Sequence, residues 1–265
     1  ALPFALSATA LAARGSGITV HQVVWVVVAM VAARSAAMGF NRLVDHSIDA
    51  RNPRTAGREL PRGVLSRREV VAFVVFSSTV FVLAAGMLNA LCLALSPVAL
   101  VIIFGYSYAK RMSSASHLVL GLALALAPVG AWLAVRGRLE IAPVVLAFAV
   151  MLWVAGFDTI YACQDVDFDR GEGLHSLPAR LGIARALSVA RGMHVVAVLL
   201  LLSLYWTVPL HPVYLAGVGG IATLLAWEHS LVRADDLSRV MHAFNLNGWV
   251  SLGYFAFTVA AAWLA

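Results

Sequence analysis

Charge is what this sequence has least of. Asp, Glu, Lys and Arg make up 12% of its 265 residues, against about a quarter in soluble domains. So few charges cannot keep the surface of a chain this size in water, which excludes a wholly soluble fold. Lysine occurs once, at Lys110, and the other basic residues are arginine. The two cysteines, Cys92 and Cys163, form no CxxC pair, which excludes a disulfide framework and leaves them as buried packing residues. The eight histidines are scattered, without zinc-ligand spacing; a structural role is the first reading for each, and His117 stands out because it opens a helix near the acids discussed below. No secretory signal is visible. The sequence opens at Ala1 inside an apolar run, which predicts a truncated first helix.

Apolar length is what the chain has in excess. It is 62% hydrophobic, with a mean hydropathy of +0.88. Spans of about 20 apolar residues predict an all-α integral membrane protein of nine helices, near 1–13, 18–45, 68–87, 89–109, 116–135, 140–165, 185–207, 212–232 and 243–264. Pro97, Pro128 and Pro143 fall in or near spans, where neighbouring helices re-satisfy the freed backbone groups. No second domain is expected within 1–265. Of the 19 basic residues, 14 lie in the loops after the second, fourth, sixth and eighth helices, and only Arg14, Arg136 and Arg138 lie in the opposite loops. The positive-inside rule then places the long loops in the cytoplasm. This placement accounts for the net charge of +6 without nucleic acid.

The acids fall in a pattern. Asp45, Asp49, Asp158, Asp165 and Asp169 lie toward the inner ends of two spans. Residues four apart on a helix differ by only about 40° in direction. Asn41, Asp45 and Asp49 therefore share one stripe, with Arg34 on the same stripe deeper in the membrane; Asp158, Tyr161, Asp165 and Asp169 share another. The triplets Asn41-x3-Asp45-x3-Asp49 and Tyr161-x3-Asp165-x3-Asp169 form a weak parallel repeat 120 residues apart. Asp167 points away by about 160° and reads as a solvated loop residue. Helix-end aspartates can simply sit at the interface, where they cost less than the roughly 2.5–3.5 kcal/mol of a helix centre. Two facing stripes are a stronger pattern than that: like charges repel unless cations lie between them, and dense oxygen ligands suit a hard cation such as Mg²⁺.

The bases complete it. Arg54 and Arg58 follow the first stripe directly, and arginine forks match phosphate oxygens. Lys110 ends the fourth helix with Tyr106 one turn earlier, and this pair is placed to reach a diphosphate. The alternative is that the arginines only enforce topology, which is the favoured reading for Arg62, Arg67 and Arg68. Phe40, Phe104, Trp132, Trp153 and Phe157 are candidates to line an apolar groove, or are ordinary bundle packing.

With these motifs the chain resembles the UbiA superfamily of intramembrane aromatic prenyltransferases across essentially its whole length. Segments 41–63 and 157–182 are most similar to its bacterial 4-hydroxybenzoate polyprenyltransferases. Many relatives have Asn-Asp where this chain has Asn41-Arg42, a departure that leaves the ligand positions intact and bears on the acceptor. The resemblance implies a nine-helix bundle around a central cavity roofed by cytoplasmic loops, in a bacterial cell membrane. It implies Mg²⁺ held by Asn41, Asp45, Asp165 and Asp169, with Asp49 and Asp158 supporting or joining them. Arg58 and Lys110, with Arg54, Tyr106 and Tyr161, would hold the diphosphate of a polyprenyl donor, and Arg34 the carboxylate of a small aromatic acid. Alternatives are the same chemistry on a naphthoate or another acceptor, and, in a different class, an ion-coupled transporter.

Overall fold

Capping chemistry sets where the helices begin. Thr19 and Gln22 form a reciprocal capping box for α2 (Val20–Arg51), as Ser66 and Glu69 do for α3 (Arg67–Leu88). Asn89 ends α3 and caps α4 (Ala90–Met112), its side-chain oxygen accepting the Cys92 N–H at 2.8 Å, so one residue turns the chain between two helices. Gly137, at φ 66°, closes α5 (Ser116–Arg136) in the left-handed conformation that only glycine adopts at little cost. Pro97 and Pro128 lie inside α4 and α5 without ending them.

The structure, a computed structural model, describes residues 1–265 as helices joined by short loops. The remaining helices are α1 (Leu2–Ala13), α6 (Ile141–Ala162), α7 (Val166–Gly171), α8 (Leu177–Leu181), α9 (Ile183–Thr207), α10 (Val213–Leu231) and α11 (Val240–Leu264). All nine expected segments are helical. Six, namely α2 to α5, α6 with its extension to Gly171, and α9, are long and apolar enough to cross a membrane. In α10 and α11, Glu228, His229, His242, Asn245 and Asn247 dilute the apolar run.

Two boundaries differ from expectation. α2 continues to Arg51, six residues beyond 45, so the whole first stripe stands on one unbroken helix; its last turn is tied down by Arg51, whose fork donates to Glu172 at 2.6–3.0 Å. The second stripe is interrupted: α6 stops at Ala162, a 3₁₀ turn covers Cys163–Asp165, and α7 carries Asp169. Asp165 and Asp169 nonetheless face inward and are buried, and Asp167 is exposed.

α1 packs against α5 and α11, with Phe4 seated between Trp153 (ring centroids 4.9 Å) and Tyr254 (5.0 Å). Buried polar side chains join α6, α9, α10 and α11. His229 meets His194 at 3.0 Å, His194 meets the Trp153 carbonyl at 3.1 Å, the Trp153 indole donates to Asn247, and Asn247 donates to Glu228, both at 2.8 Å. Gly156 makes room for this contact, since a Cβ there would lie 2.3 Å from the His194 ring. Trp132 and Trp153 are therefore core residues, and Phe40 stacks on Phe104 at 4.4 Å.

A cavity of about 310 Å³ opens between α2, α3, α4 and α5, with 22 of its 25 lining residues hydrophobic. Most of its lining is aliphatic, and the five aromatics considered for a groove are not part of it.

Candidate active site

Each stripe acid has a specific partner. On α2, Asn41 donates through Nδ2 to Asp45 Oδ2 at 2.9 Å, which leaves the Asn41 amide oxygen without a donor. Asp45 also receives Arg111 at 3.0 Å, from the end of α4; the same guanidinium donates to the Val44 carbonyl at 2.6 Å. One turn on, Asp49 receives Arg58 at 2.6 and 2.7 Å, with Arg42 further off at 3.9 Å.

Across the site, Asp165 receives a two-point fork from Arg54 at 2.5 and 2.9 Å and the Asn52 amide at 3.2 Å. Arg54 also donates to the Tyr161 hydroxyl at 2.9 Å and lies over that ring. Burial works against the Arg54 charge, but the adjacent Asp165 carboxylate more than offsets it and holds the guanidinium above its ordinary pKa. Asp169 has no exposed surface; the Lys110 ammonium lies 2.8 Å from it, yet neither carboxylate oxygen accepts a geometrically sound hydrogen bond.

Four of the five acids thus face an arginine or lysine. The sequence expectation is that repulsion between the stripes needs cations between them, and the chain's own arginines and lysine also lie there. Arg54 and Arg58, assigned to phosphate, reach carboxylates instead. Helical spacing says which face a residue occupies and nothing about the neighbour across the gap. Spacing therefore singled out neither Arg111 nor Asn52. Only the adjacency of Arg111 to Lys110 hinted at its place.

Asp158 differs from the others. Its partner is an imidazole, His117 Nδ1, at 2.6 Å, and a quarter of its side chain is accessible (26%). It does not pair with Arg34. Arg34 is instead the only charged residue lining the apolar cavity and has no carboxylate in ion-pair reach. Tyr106, assigned to diphosphate from its spacing to Lys110, lines that cavity too, within electrostatic range of Asp45 and Asp158. The site therefore has two tiers: a charged mouth at the loop end, and an apolar chamber with one guanidinium beneath it.

No three His, Cys, Asp or Glu side chains converge into a ready-made metal cage. The donor set still fits Mg²⁺, which seldom uses an all-protein cage and binds through one or two carboxylates together with substrate phosphates. The buried, undonated Asp169 oxygens and the free Asn41 amide oxygen are hard ligands of the right kind. The loops that carry the bases are locked over the mouth by Arg51–Glu172 and by the His175 N–H, which donates to the Lys110 carbonyl at 2.7 Å.

Known proteins share this arrangement of helices. The 4-hydroxybenzoate octaprenyltransferase of Aeromonas salmonicida (strain A449) is 32% identical over 226 residues, covering 84% of this chain and 77% of that protein. The enzyme of the same name from Cronobacter sakazakii is 30% identical over 233 residues, 86% and 80% of the two chains. The apo structure of a UbiA homolog from Aeropyrum pernix K1 superposes with a TM-score of 0.90 at 35% identity, covering 98% of this chain and 95% of that one. A UbiA homolog from Archaeoglobus fulgidus bound to DMAPP and Mg²⁺ shares the fold at a TM-score of 0.72 and 17% identity, over 100% and 96% of the chains. The model of the UbiA prenyltransferase family matches residues 1–264, and the chain belongs to that family of multi-pass membrane enzymes.

Proposed function

We propose that this protein transfers a polyprenyl group from a polyprenyl diphosphate to a small aromatic acid, with 4-hydroxybenzoate the favoured acceptor, as a step in making a membrane quinone. The observation that carries the reading is the two-tier site: an acid–base mouth suited to a Mg²⁺-bound diphosphate, opening on an apolar chamber whose single charge is Arg34. The names of the curated relatives and the ligands of the Archaeoglobus homolog support the same chemistry.

Asn41, Asp45, Asp165 and Asp169 would hold Mg²⁺, with Asp49 beside them. When bound, the ion would draw charge from the departing diphosphate. Taking up the acids would release Arg54, Arg58 and Lys110 from them, and the freed forks and ammonium suit the phosphate oxygens. Tyr161, whose hydroxyl accepts from Arg54, would border the same phosphate oxygens. Arg34 binds the acceptor carboxylate and Tyr106 borders both substrates. The allylic C–O bond breaks, and diphosphate leaves with the electron pair. The ring carbon beside the phenol hydroxyl bonds to the prenyl carbon, and the ring proton departs. Asp158, the one stripe acid not committed to an arginine or lysine, is placed to take it. The loops exclude water, which would otherwise convert the cation to prenol.

The arginine-rich end faces the cytoplasm of a bacterial cell in this reading, so Cys placed at Ser66 in a cysteine-free background should resist an impermeant label until cells are permeabilised. The deciding experiment incubates purified protein with Mg²⁺, a long prenyl diphosphate and a panel of aromatic acids, read by mass spectrometry. Prenylated 4-hydroxybenzoate is expected. Product from a naphthoate alone would move the protein to the naphthoate branch, and no prenylated aromatic acid at all would overturn the reading.

A further inference from the structure

His117 lies in the first turn of α5, with only 2% of its surface exposed, and uses both ring nitrogens. Its Nε2 faces the backbone N–H of Leu177 at 3.3 Å, at the start of α8. An N–H can only donate, so Nε2 must accept and carries no proton. The proton of the neutral ring is therefore on Nδ1, and Nδ1–H donates to Asp158 Oδ2 at 2.6 Å. Asp158 can accept that bond only through an unprotonated oxygen, and its other oxygen has no donor. The chain from the Leu177 amide through imidazole to carboxylate thus has one self-consistent direction.

We propose that His117 is a positioning residue that holds Asp158 by one oxygen and leaves the other free for the aromatic substrate. The proposal rests on the role given above to Asp158. A carboxylate held by an arginine is stabilised as a spectator. One tethered at a single oxygen by an imidazole gains a fixed orientation with its second oxygen free, which is what a proton acceptor needs. His117 touches neither substrate. It also couples the site to the cytoplasmic loop: Ser116 donates to the His175 carbonyl at 3.3 Å, next to the segment whose amide sets the ring's tautomer.

Two near-isosteric variants separate this role from loop pinning. The amide nitrogen of asparagine falls where Nδ1 lies, so His117→Asn keeps a donor for Asp158 and loses the Leu177 contact. His117→Gln can place its amide oxygen near Nε2, keeping the Leu177 contact and losing the donor. The expected result is that His117→Gln lowers kcat by about tenfold or more, less than the ~10²-fold or greater loss expected for the proton-transfer group itself, with the KM for prenyl diphosphate unchanged, and that His117→Asn stays within about threefold. The reverse order, or normal kcat in both, would overturn the proposal. A second measurement needs no substrate and stands even if the acceptor chemistry is misassigned. Nitrogen-15 NMR of histidine-labelled protein, with His117→Asn assigning the signal, should show the Nδ1–H tautomer, perturbed by Asp158→Ala. An Nε2–H ring, or a signal indifferent to Asp158, would overturn it as well.

Discussion

The Lys110 ammonium lies 2.8 Å from Asp169, a residue with no exposed surface, although neither Asp169 oxygen accepts a hydrogen bond. A charge pair without donor geometry neutralises the acid but leaves its lone pairs free for a better ligand. Losing one partner of a buried pair costs about 3–5 kcal/mol, and Lys110, whose side chain is 35% exposed, should cost less. Lys110→Met should therefore lower the melting temperature by a few degrees in chelator, and Mg²⁺ with inorganic diphosphate should recover most of that loss. Equal melting of variant and parent in chelator would remove the lysine from this role.

Chelation should abolish prenyl transfer, and Mg²⁺ should restore it. Asp45→Ala and Asp165→Ala come from opposite stripes and should each lower kcat at least ~10²-fold, the scale for losing stabilisation of a developing anion. Each variant also strands a cation, Arg111 or Arg54, so yield and melting are measured beside the rates. Near-normal turnover in both variants would dissolve the metal assignment.

Arg34 and Arg58 should separate the two substrates. An unpaired guanidinium in an apolar cavity calls for an anionic partner. Losing a charge-assisted pair costs about 2–5 kcal/mol, so Arg34→Ala should raise the KM for the aromatic acid more than tenfold while changing that for prenyl diphosphate little. Arg58→Ala should do the opposite. Steady-state kinetics in liposomes, varying each substrate in turn, decides. An unchanged acceptor KM in a folded Arg34→Ala protein leaves the carboxylate without its site.

Gly121 controls how closely α5 and α6 approach. A Cβ there would lie 2.2 Å from the Met151 carbonyl oxygen, and backbone cannot swing aside as a side chain does. Gly121→Ala should destabilise by about 1–3 kcal/mol, the usual cost of overpacking. Because α5 carries His117 and α6 carries Asp158, it should also lower kcat. Thermal melting and rates measured together test this, and an unaffected protein would mean that the helices separate freely.

Family membership decides against the ion-coupled transporter, which the buried acids alone left open.

Local spacing was enough to locate the functional face. The helical period put Asp165 and Asp169 inside and Asp167 outside, and the structure has them buried, buried and exposed. Apolar length located the helical segments, and Arg34 lines the cavity from α2, two turns before Asn41. Those features depend on neighbours in the chain, so a one-dimensional pattern carries them. Partner choice does not depend on such neighbours. Arg54 meets Asp165 across 111 residues, Arg111 meets Asp45 across 66, and His117 meets Asp158 across 41. The last two pairings join two helices, and the first joins a loop to a 3₁₀ turn; their relative placement follows from contacts along the whole length of the packed helices, such as Gly121 against Met151. Coulomb attraction is also indifferent to which arginine answers which acid until packing brings one within 3 Å. The sequence alone determined which faces hold the chemistry; only the tertiary structure decided which arginine or lysine faces each acid and that Asp158 is paired with His117.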